Sequence, residues 1–224
     1  MEIIKKLIKF NFTKNANKPE FIVIHDTGNY NIGADAEMHY QYFNSGDKQS
    51  SAHIFVDDKQ ILQLVEIRDK SWHCGDGNNA HGINNGNSIS VEICINNDGN
   101  YLATINNTLE LVSYLMKTYN ISIDKVVRHF NASGKNCPQT MNNNGDWSKW
   151  NEFKARLQNK LIEEVIHMFN DDANIAGYAK EAVAKMKDLK IINGDSNGNF
   201  NPKNPITRED LACVLNNLLK LLGK

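Results

Sequence analysis

The 224-residue sequence predicts an α/β (α+β) protein, with a mixed central sheet flanked by helices and a small all-α helix-turn-helix domain at its C-terminal end. Three observations carry this. Short apolar runs of strand type alternate with segments whose apolar residues recur every three or four positions. One long helical pattern, Trp147 to about Met168, closes that region. After Phe169 only helical segments remain, separated by a Gly/Asn/Pro turn region. At about 150 residues per domain, the length amounts to roughly one and a half domains.

The elements follow in order. Phe21 to Ile24 is an apolar run that reads as a buried strand, ending in His25-Asp26-Thr27-Gly28-Asn29. Ala34 to Phe43 reads as a helix, with Asp35 as N-cap and Met38, Tyr42 and Phe43 on one face. Ala52 to Val56 and Gln60 to Val65 are strands joined by the Asp57-Asp58-Lys59 turn, a hairpin signal. Residues 75–87 form a Gly/Asn loop. Ser88 to Ile95 alternates apolar and polar residues as a strand does. A helix opens at Thr108 and runs to about Tyr119, burying Leu109, Leu111, Val112, Leu115 and Met116. Lys125 to Val127 is a short strand, followed by a Gly/Asn/Pro loop to about Asp146. In the long helix, Trp150, Phe153, Leu157, Leu161 and Val165 share one face. The last region carries helices at Gly177 to Leu189 and Thr207 to Leu222, the second opened by a capping box of Thr207 and Asp210.

The balance of 25 Lys+Arg against 26 Asp+Glu argues against a nucleic-acid binder, which shows a basic excess or stripe. Hydrophobic residues at 41% are too many for a disordered chain. No stretch approaches the ~20 apolar residues of a membrane-spanning helix, so no membrane insertion is expected. The segment MEIIKKLIKF mixes lysine and isoleucine and lacks a continuous apolar core, so no signal peptide is read. The expectation is synthesis in the cytoplasm and action after release. Cys74, Cys94, Cys137 and Cys213 are too few and scattered for a disulfide framework.

His25 ends a strand, His129 follows the Val126-Val127 run, and Cys137 lies eight residues later in a polar loop. Two imidazoles and a thiolate can supply three ligands of a tetrahedral zinc site, with the fourth position open for catalysis. Spacing alone does not choose this reading, because a lone histidine is ordinarily a surface or core residue. That plain reading is taken for His39, His81 and His167. Cys74, Cys94 and Cys213 read as small buried hydrophobes. Glu92 stands between Val91 and Ile93, so it points away from both.

The segments IVIHDTGN, SAHIFVDD, SWHCG, NSISVEI and VVRHFNASGKNCP occur in this order. Together they resemble the N-acetylmuramoyl-L-alanine amidase family of phage endolysins and bacterial autolysins, the group related to peptidoglycan recognition proteins. The resemblance covers roughly residues 20–157. It implies that His25, His129 and Cys137 hold Zn2+, that Glu92 moves the proton from the attacking water to the leaving amine, and that Lys135 stabilises the oxyanion. It also implies that Trp72, His73, Asn87 and His53 lie along the substrate groove, His53 in a supporting place. Some relatives use a Tyr just before the histidine of the second motif. Ala52 stands there, which leaves the proton work to Glu92.

Residues from Phe169 to about Leu218 are similar to a single S-layer homology (SLH) motif, through Phe169, Asp171, Tyr178, Ile191 to Gly194, Gly198, Phe200, Pro202 and Ile206-Thr207-Arg208-Glu209. This resemblance implies binding to a secondary cell-wall polymer, with Arg208 pairing a carboxylate such as a ketal-linked pyruvate. Such motifs usually come in threes, so a homotrimer through this region is expected. The expected division is an amidase domain at 1–157, a helical linker at 158–168 and an SLH-like domain at 169–224. The competing functions are a recognition protein without catalysis, usually marked by loss of the Cys137 position, and a cysteine peptidase, which would leave His25 idle.

Overall fold

The computed structural model describes residues 2–166 and 169–223. Its strands are β1 (Ile4–Lys5), β2 (Phe12–Thr13), β3 (Phe21–Asp26), β4 (Ile54–Val56), β5 (Ile61–Gln63), β6 (Lys70–Ser71), β7 (Ser88–Ile93) and β8 (Val126–Arg128). Its helices are α1 (Ala36–Asn44), α2 (Tyr101–Tyr119), α3 (His129–Ser133), α4 (Ser148–Ile166), α5 (Lys180–Asp188) and α6 (Arg208–Leu221). Six strands form one mixed sheet in the order β1-β5-β4-β7-β3-β8, and β2 pairs with β6 in a two-stranded ribbon. Only β4 and β5, the expected hairpin, are antiparallel within the large sheet; the other neighbours run parallel. This is the mixed sheet flanked by helices that the sequence predicts. The chain divides into two compact units, Met1–Leu157 and Gln158–Lys224.

The central strands β3 and β7 are buried along nearly their whole length, which is why they read as apolar runs. Helix α2 packs on β3, β4 and β7, burying Leu109, Leu111, Val112, Leu115 and Met116. It starts at Tyr101, not Thr108. Asn100 caps it by accepting from the Ala103 N–H at 3.1 Å. Thr104 and Thr108 are buried with their hydroxyls donated to carbonyls four residues back. Asn and Thr have poor helix propensity, and packing overrides it here.

Asp35 caps α1 as expected, accepting from the Met38 N–H at 2.9 Å. The residues expected to share one face differ in burial: Met38 and Tyr42 are exposed, while Ala36, Tyr40 and Phe43 join the core of Phe55, Leu62 and Leu64. The loop expected after β8 contains α3. Strands β1, β2 and β6 carry no periodic signal, being two residues each.

Helix α4 buries Trp150, Phe153 and Leu157. The expected positions beyond Ile166, including His167 and Met168, and the side chain of Val165 lie outside the described residues. In the second unit Phe169, Ile175, Ala184 and Ile191 are buried, and Phe169 packs on Phe200. Here the helix expected from Gly177 begins as a 3-10 turn, Gly177–Ala179, before α5. Thr207 caps α6, accepting from the Asp210 N–H at 3.0 Å. No residue of α6 is buried; Cys213, expected in the core, is exposed on it.

Candidate metal centre

Parallel β3 and β7 are paired in register, with His25 opposite Glu92. In-register neighbours project to one face of a sheet, so the imidazole and carboxylate lie side by side. His25 Nδ1 is 3.9 Å from Glu92 Oε1. Phe55 of β4 flanks Glu92 on its other side, and the buried Val91 and Ile93 take the opposite face.

At the end of β8 the chain turns directly into α3, so His129 is a first-turn residue. Asn131 Oδ1 accepts from the Arg128 backbone N–H and Nε, holding that corner. Gly134, at φ 81°, ends α3 in the left-handed region, which lets the chain fold back. The Phe130 N–H then donates to the Cys137 carbonyl at 3.0 Å. Asp26, next to His25, fastens the loop beyond by accepting from the Thr140 N–H (2.8 Å) and Oγ1 (2.9 Å). This fold-back brings Cys137 Sγ to 3.7 Å from His25 Nδ1.

His25, His129 and Cys137 are all buried, and their donor atoms lie within 4.8 Å of one another. Their surroundings fit a metal ion. His129 Nδ1 is buried without a partner, while His129 Nε2 donates to Asp76 Oδ1 at 2.8 Å. His25 Nε2 is held by His73 Nδ1 at 3.0 Å. Both imidazoles therefore commit Nε2 to the protein, which leaves His25 Nδ1 facing the thiol and His129 Nδ1 uncommitted. Two neutral imidazoles and one thiolate form a zinc-type donor set with room for a further ligand.

The electrostatics follow from burial. Burial and the neighbouring His73 and His129 hold His25 well below the ordinary histidine range. Burial lowers His129 too, against the opposing pull of Asp76. Burial, then Asp26, pushes Glu92 up to about 8, with Lys135 opposing, and Glu92 Oε2 has no partner. Burial also raises the Cys137 thiol, with Glu92 adding to the effect. A divalent cation would counter these last two shifts, since it favours both anions.

A cavity of about 220 Å³ opens here, lined by the three donors, Asp26, Thr27, Glu92, Lys135, Trp72 and His73 among others. Lys135 is exposed at its edge. Trp72 is half-buried, its Nε1 donating to Thr13. Two expected groove residues lie elsewhere. His53 is fully buried, bonded to Ser71, Ser90 and the Asp69 carbonyl, and cannot touch a substrate. Asn87 does not line the cavity; its side chain ties the 82–87 loop through Gly82 and Asn84. His73 lines the cavity, but both its ring nitrogens are engaged within the protein. His39 stacks on Phe55, and His81 is exposed.

Asp76, Asp26 and Ser88 were not legible as site residues. One signal for Asp76 lies beside it. A Cβ on Gly77 would stand 2.2 Å from the Ala132 carbonyl oxygen, so only glycine lets this loop meet α3. In the second unit, Asp171 accepts from the Phe200 and Asn201 N–H groups and so ties the start of the unit to its turn region. Arg208 is exposed at the head of α6.

The fold is a mixed α+β sheet, and at the end of its central strand His25, His129 and Cys137 are placed so that they could hold a metal ion. Residues 15–140 match the family model for N-acetylmuramoyl-L-alanine amidase, and residues 169–212 match that of the S-layer homology domain. The amidase XlyA of Bacillus subtilis (strain 168) is 39% identical over 142 residues, covering 63% of this chain and 45% of that protein. The amidase CwlA of the same organism is 30% identical over 210 residues, covering 93% of this chain and 73% of that protein. The solved catalytic domain of XlyA superposes with a TM-score of 0.63 at 37% identity, covering 70% of this chain and 99% of that one. The structure of PlyL gives 0.60 at 38% identity, covering 70% and 97%. The chain belongs to the N-acetylmuramoyl-L-alanine amidase family. It spans about half the length of the first relatives it matches.

Proposed function

We propose that this protein is a zinc-dependent peptidoglycan hydrolase that cuts the amide bond between N-acetylmuramic acid and the L-alanine of the stem peptide, lysing Gram-positive walls. The observation that carries this reading is the convergence of two inward Nδ1 atoms and one thiol beside a buried carboxylate. Bound by His25, His129 and Cys137, zinc supplies a Lewis acid for the scissile carbonyl and makes water more acidic.

The chain's own residues do the rest. Glu92 takes the proton of the attacking water and passes it to the departing amine of L-alanine. Its elevated pKa, opposed by a nearby cation, sets it in the range where both transfers are accessible near neutral pH. Lys135, at the cavity edge, stabilises the negative charge that develops on the carbonyl oxygen. Trp72 forms part of the wall against which the stem peptide lies.

The test is the zinc content of the purified protein beside that of Cys137→Ser, together with release of L-alanine amino termini from peptidoglycan. One zinc per chain, loss of metal in the variant and chelator-sensitive release are expected. Unchanged metal in the variant overturns the ligand set. Intact muropeptide binding without turnover would instead favour a recognition protein, a reading that the presence of Cys137 opposes.

The second unit acts as the wall anchor, with Arg208 pairing an anionic group of a secondary wall polymer. Copies of α6 then cover one another. Leu211, Leu215, Leu218 and Leu222 are exposed and spaced four, three and four residues apart, the pattern of a helix–helix seam. A trimer is expected by light scattering, and a monomer at working concentration would overturn this part alone. The site of action is the cell wall, reached after release.

A further inference from the structure

We propose that His73, Ser88 and the backbone carbonyl of Asn84 form a directional hydrogen-bond chain that sets the tautomer of His25, so that its Nδ1 is presented bare to the metal. This rests on the zinc-site reading above and adds to it a positioning role for residues that touch neither metal nor substrate.

Direction follows from counting protons, starting at the far end. The Asn84 carbonyl can only accept, and Ser88 Oγ lies 2.5 Å from it. Ser88 has one hydroxyl proton, and that bond consumes it. Ser88 Oγ is also 3.0 Å from His73 Nε2, so there it must accept, and His73 carries its proton on Nε2. A neutral imidazole has one N–H, so His73 Nδ1 is bare. That bare nitrogen lies 3.0 Å from His25 Nε2 and accepts from it. His25 thus holds its own proton on Nε2, and its Nδ1 faces Cys137 Sγ at 3.7 Å and Glu92 Oε1 at 3.9 Å.

The two rings meet nitrogen to nitrogen at 3.0 Å, where only one of the facing nitrogens can carry a proton. Ser88 is fully buried. The backbone is fixed as well: Asn85 Oδ1 accepts from the His73 and Cys74 N–H groups at 3.0 and 2.8 Å.

One competitor defines the chain's purpose. Cys74 Sγ is 3.8 Å from the same His73 Nε2. A thiol donating there would move the His73 proton to Nδ1. His25 Nε2 would then have to accept, and the His25 proton would sit on Nδ1, where it blocks the metal. Ser88 prevents this, because its lone pair at 3.0 Å demands a proton on Nε2.

The experiment measures zinc affinity of the full-length protein by competition with a chromophoric chelator, for wild type, Ser88→Ala and Cys74→Ala. Loss of an outer partner of a metal-binding histidine typically costs ~10–100-fold. We expect a loss of about that size for Ser88→Ala and no change for Cys74→Ala. Equal affinity for wild type and Ser88→Ala overturns the proposal, as does an equal loss in both variants, which would report packing alone. Ring-nitrogen NMR of the wild-type chain gives a second reading without any variant. His73 should carry its proton on Nε2, and a proton on Nδ1 overturns the chain. A wild type that binds no zinc would defeat the metal reading itself, which these arms separate from failure of the chain.

Discussion

The His129 imidazole donates from Nε2 to Asp76 Oδ1 at 2.8 Å, and the same carboxylate accepts from Ser133 Oγ at 3.2 Å. Burial works to raise the Asp76 pKa, but the His129 and Ser133 hydrogen bonds outweigh it, and the group is held below the usual carboxylate range. An ionised Asp76 therefore orients His129 with its free Nδ1 inward. Asp76→Ala is expected to weaken zinc binding by ~10–100-fold while leaving the thermal melt of the zinc-free protein nearly unchanged. Wild-type affinity in a chelator competition would show that Asp76 is a bystander.

Gly77→Ala is expected to reproduce that loss without changing a polar side chain. The added methyl would meet the Ala132 carbonyl at 2.2 Å and push the Asp76 loop away from α3. Thr or Ser in place of Ala should do the same; a Gly77→Ala protein with normal zinc affinity would mean that the loop adjusts without moving Asp76.

Glu92→Gln keeps the shape of the side chain and removes its proton chemistry. It should retain zinc and lose at least ~10²-fold in rate of amide cleavage, the scale for a positioned acid–base group. Turnover near wild type, measured on purified peptidoglycan, would assign the proton transfers elsewhere.

His53 offers a pH test of stability. Its Nε2 donates to the Asp69 carbonyl at 2.9 Å, so Nδ1 accepts from the Ser90 N–H at 3.1 Å, and burial lowers its pKa from 6.5 to about 4. The unfolded chain then takes up this proton before the folded one. The contribution is full above pH 6.5 and is lost as pH falls toward 4, amounting to roughly 3 kcal/mol at the end of that window. Urea midpoints should fall across this window and fall less steeply in His53→Asn. Equal slopes would mean that His53 titrates normally.

Leu157 is fully buried on α4. Its truncation to Ala should cost about 2–5 kcal/mol in urea unfolding of the first unit, with the candidate metal centre intact. A cost below ~1 kcal/mol would indicate that the helix face is not firmly packed.

The sequence made the large elements readable because their periods reflect burial on one or both faces, as in β3, β7 and the second half of α2. It concealed about the first two turns of α2, where Asn100 and Thr104 make side-chain bonds to the backbone that no hydrophobic period records. The donor set was legible through ordered motifs rather than spacing, since His25 and Cys137 are far apart in the chain. Those motifs also assigned His53 and Asn87 to the groove. Both turned out to hold neighbouring structure together, because a histidine or asparagine serves a buried network as readily as a ligand. Asp76, Asp26 and Ser88 were silent for the opposite reason. Each acts through side-chain hydrogen bonds that reach across the fold, which a linear pattern does not contain.

The separation of 112 residues between His25 and Cys137 has a mechanical consequence. An ion gripped by both would clasp the end of a central strand to a loop half the chain away, much as a covalent cross-link does. In the chain-entropy picture, closing a loop of that span is worth on the order of 4–5 kcal/mol. The ion that serves the chemistry would then also be a clasp of the architecture. Stripping it with a chelator should lower the melting temperature of the first unit along with the proposed activity, and restoring it should return both.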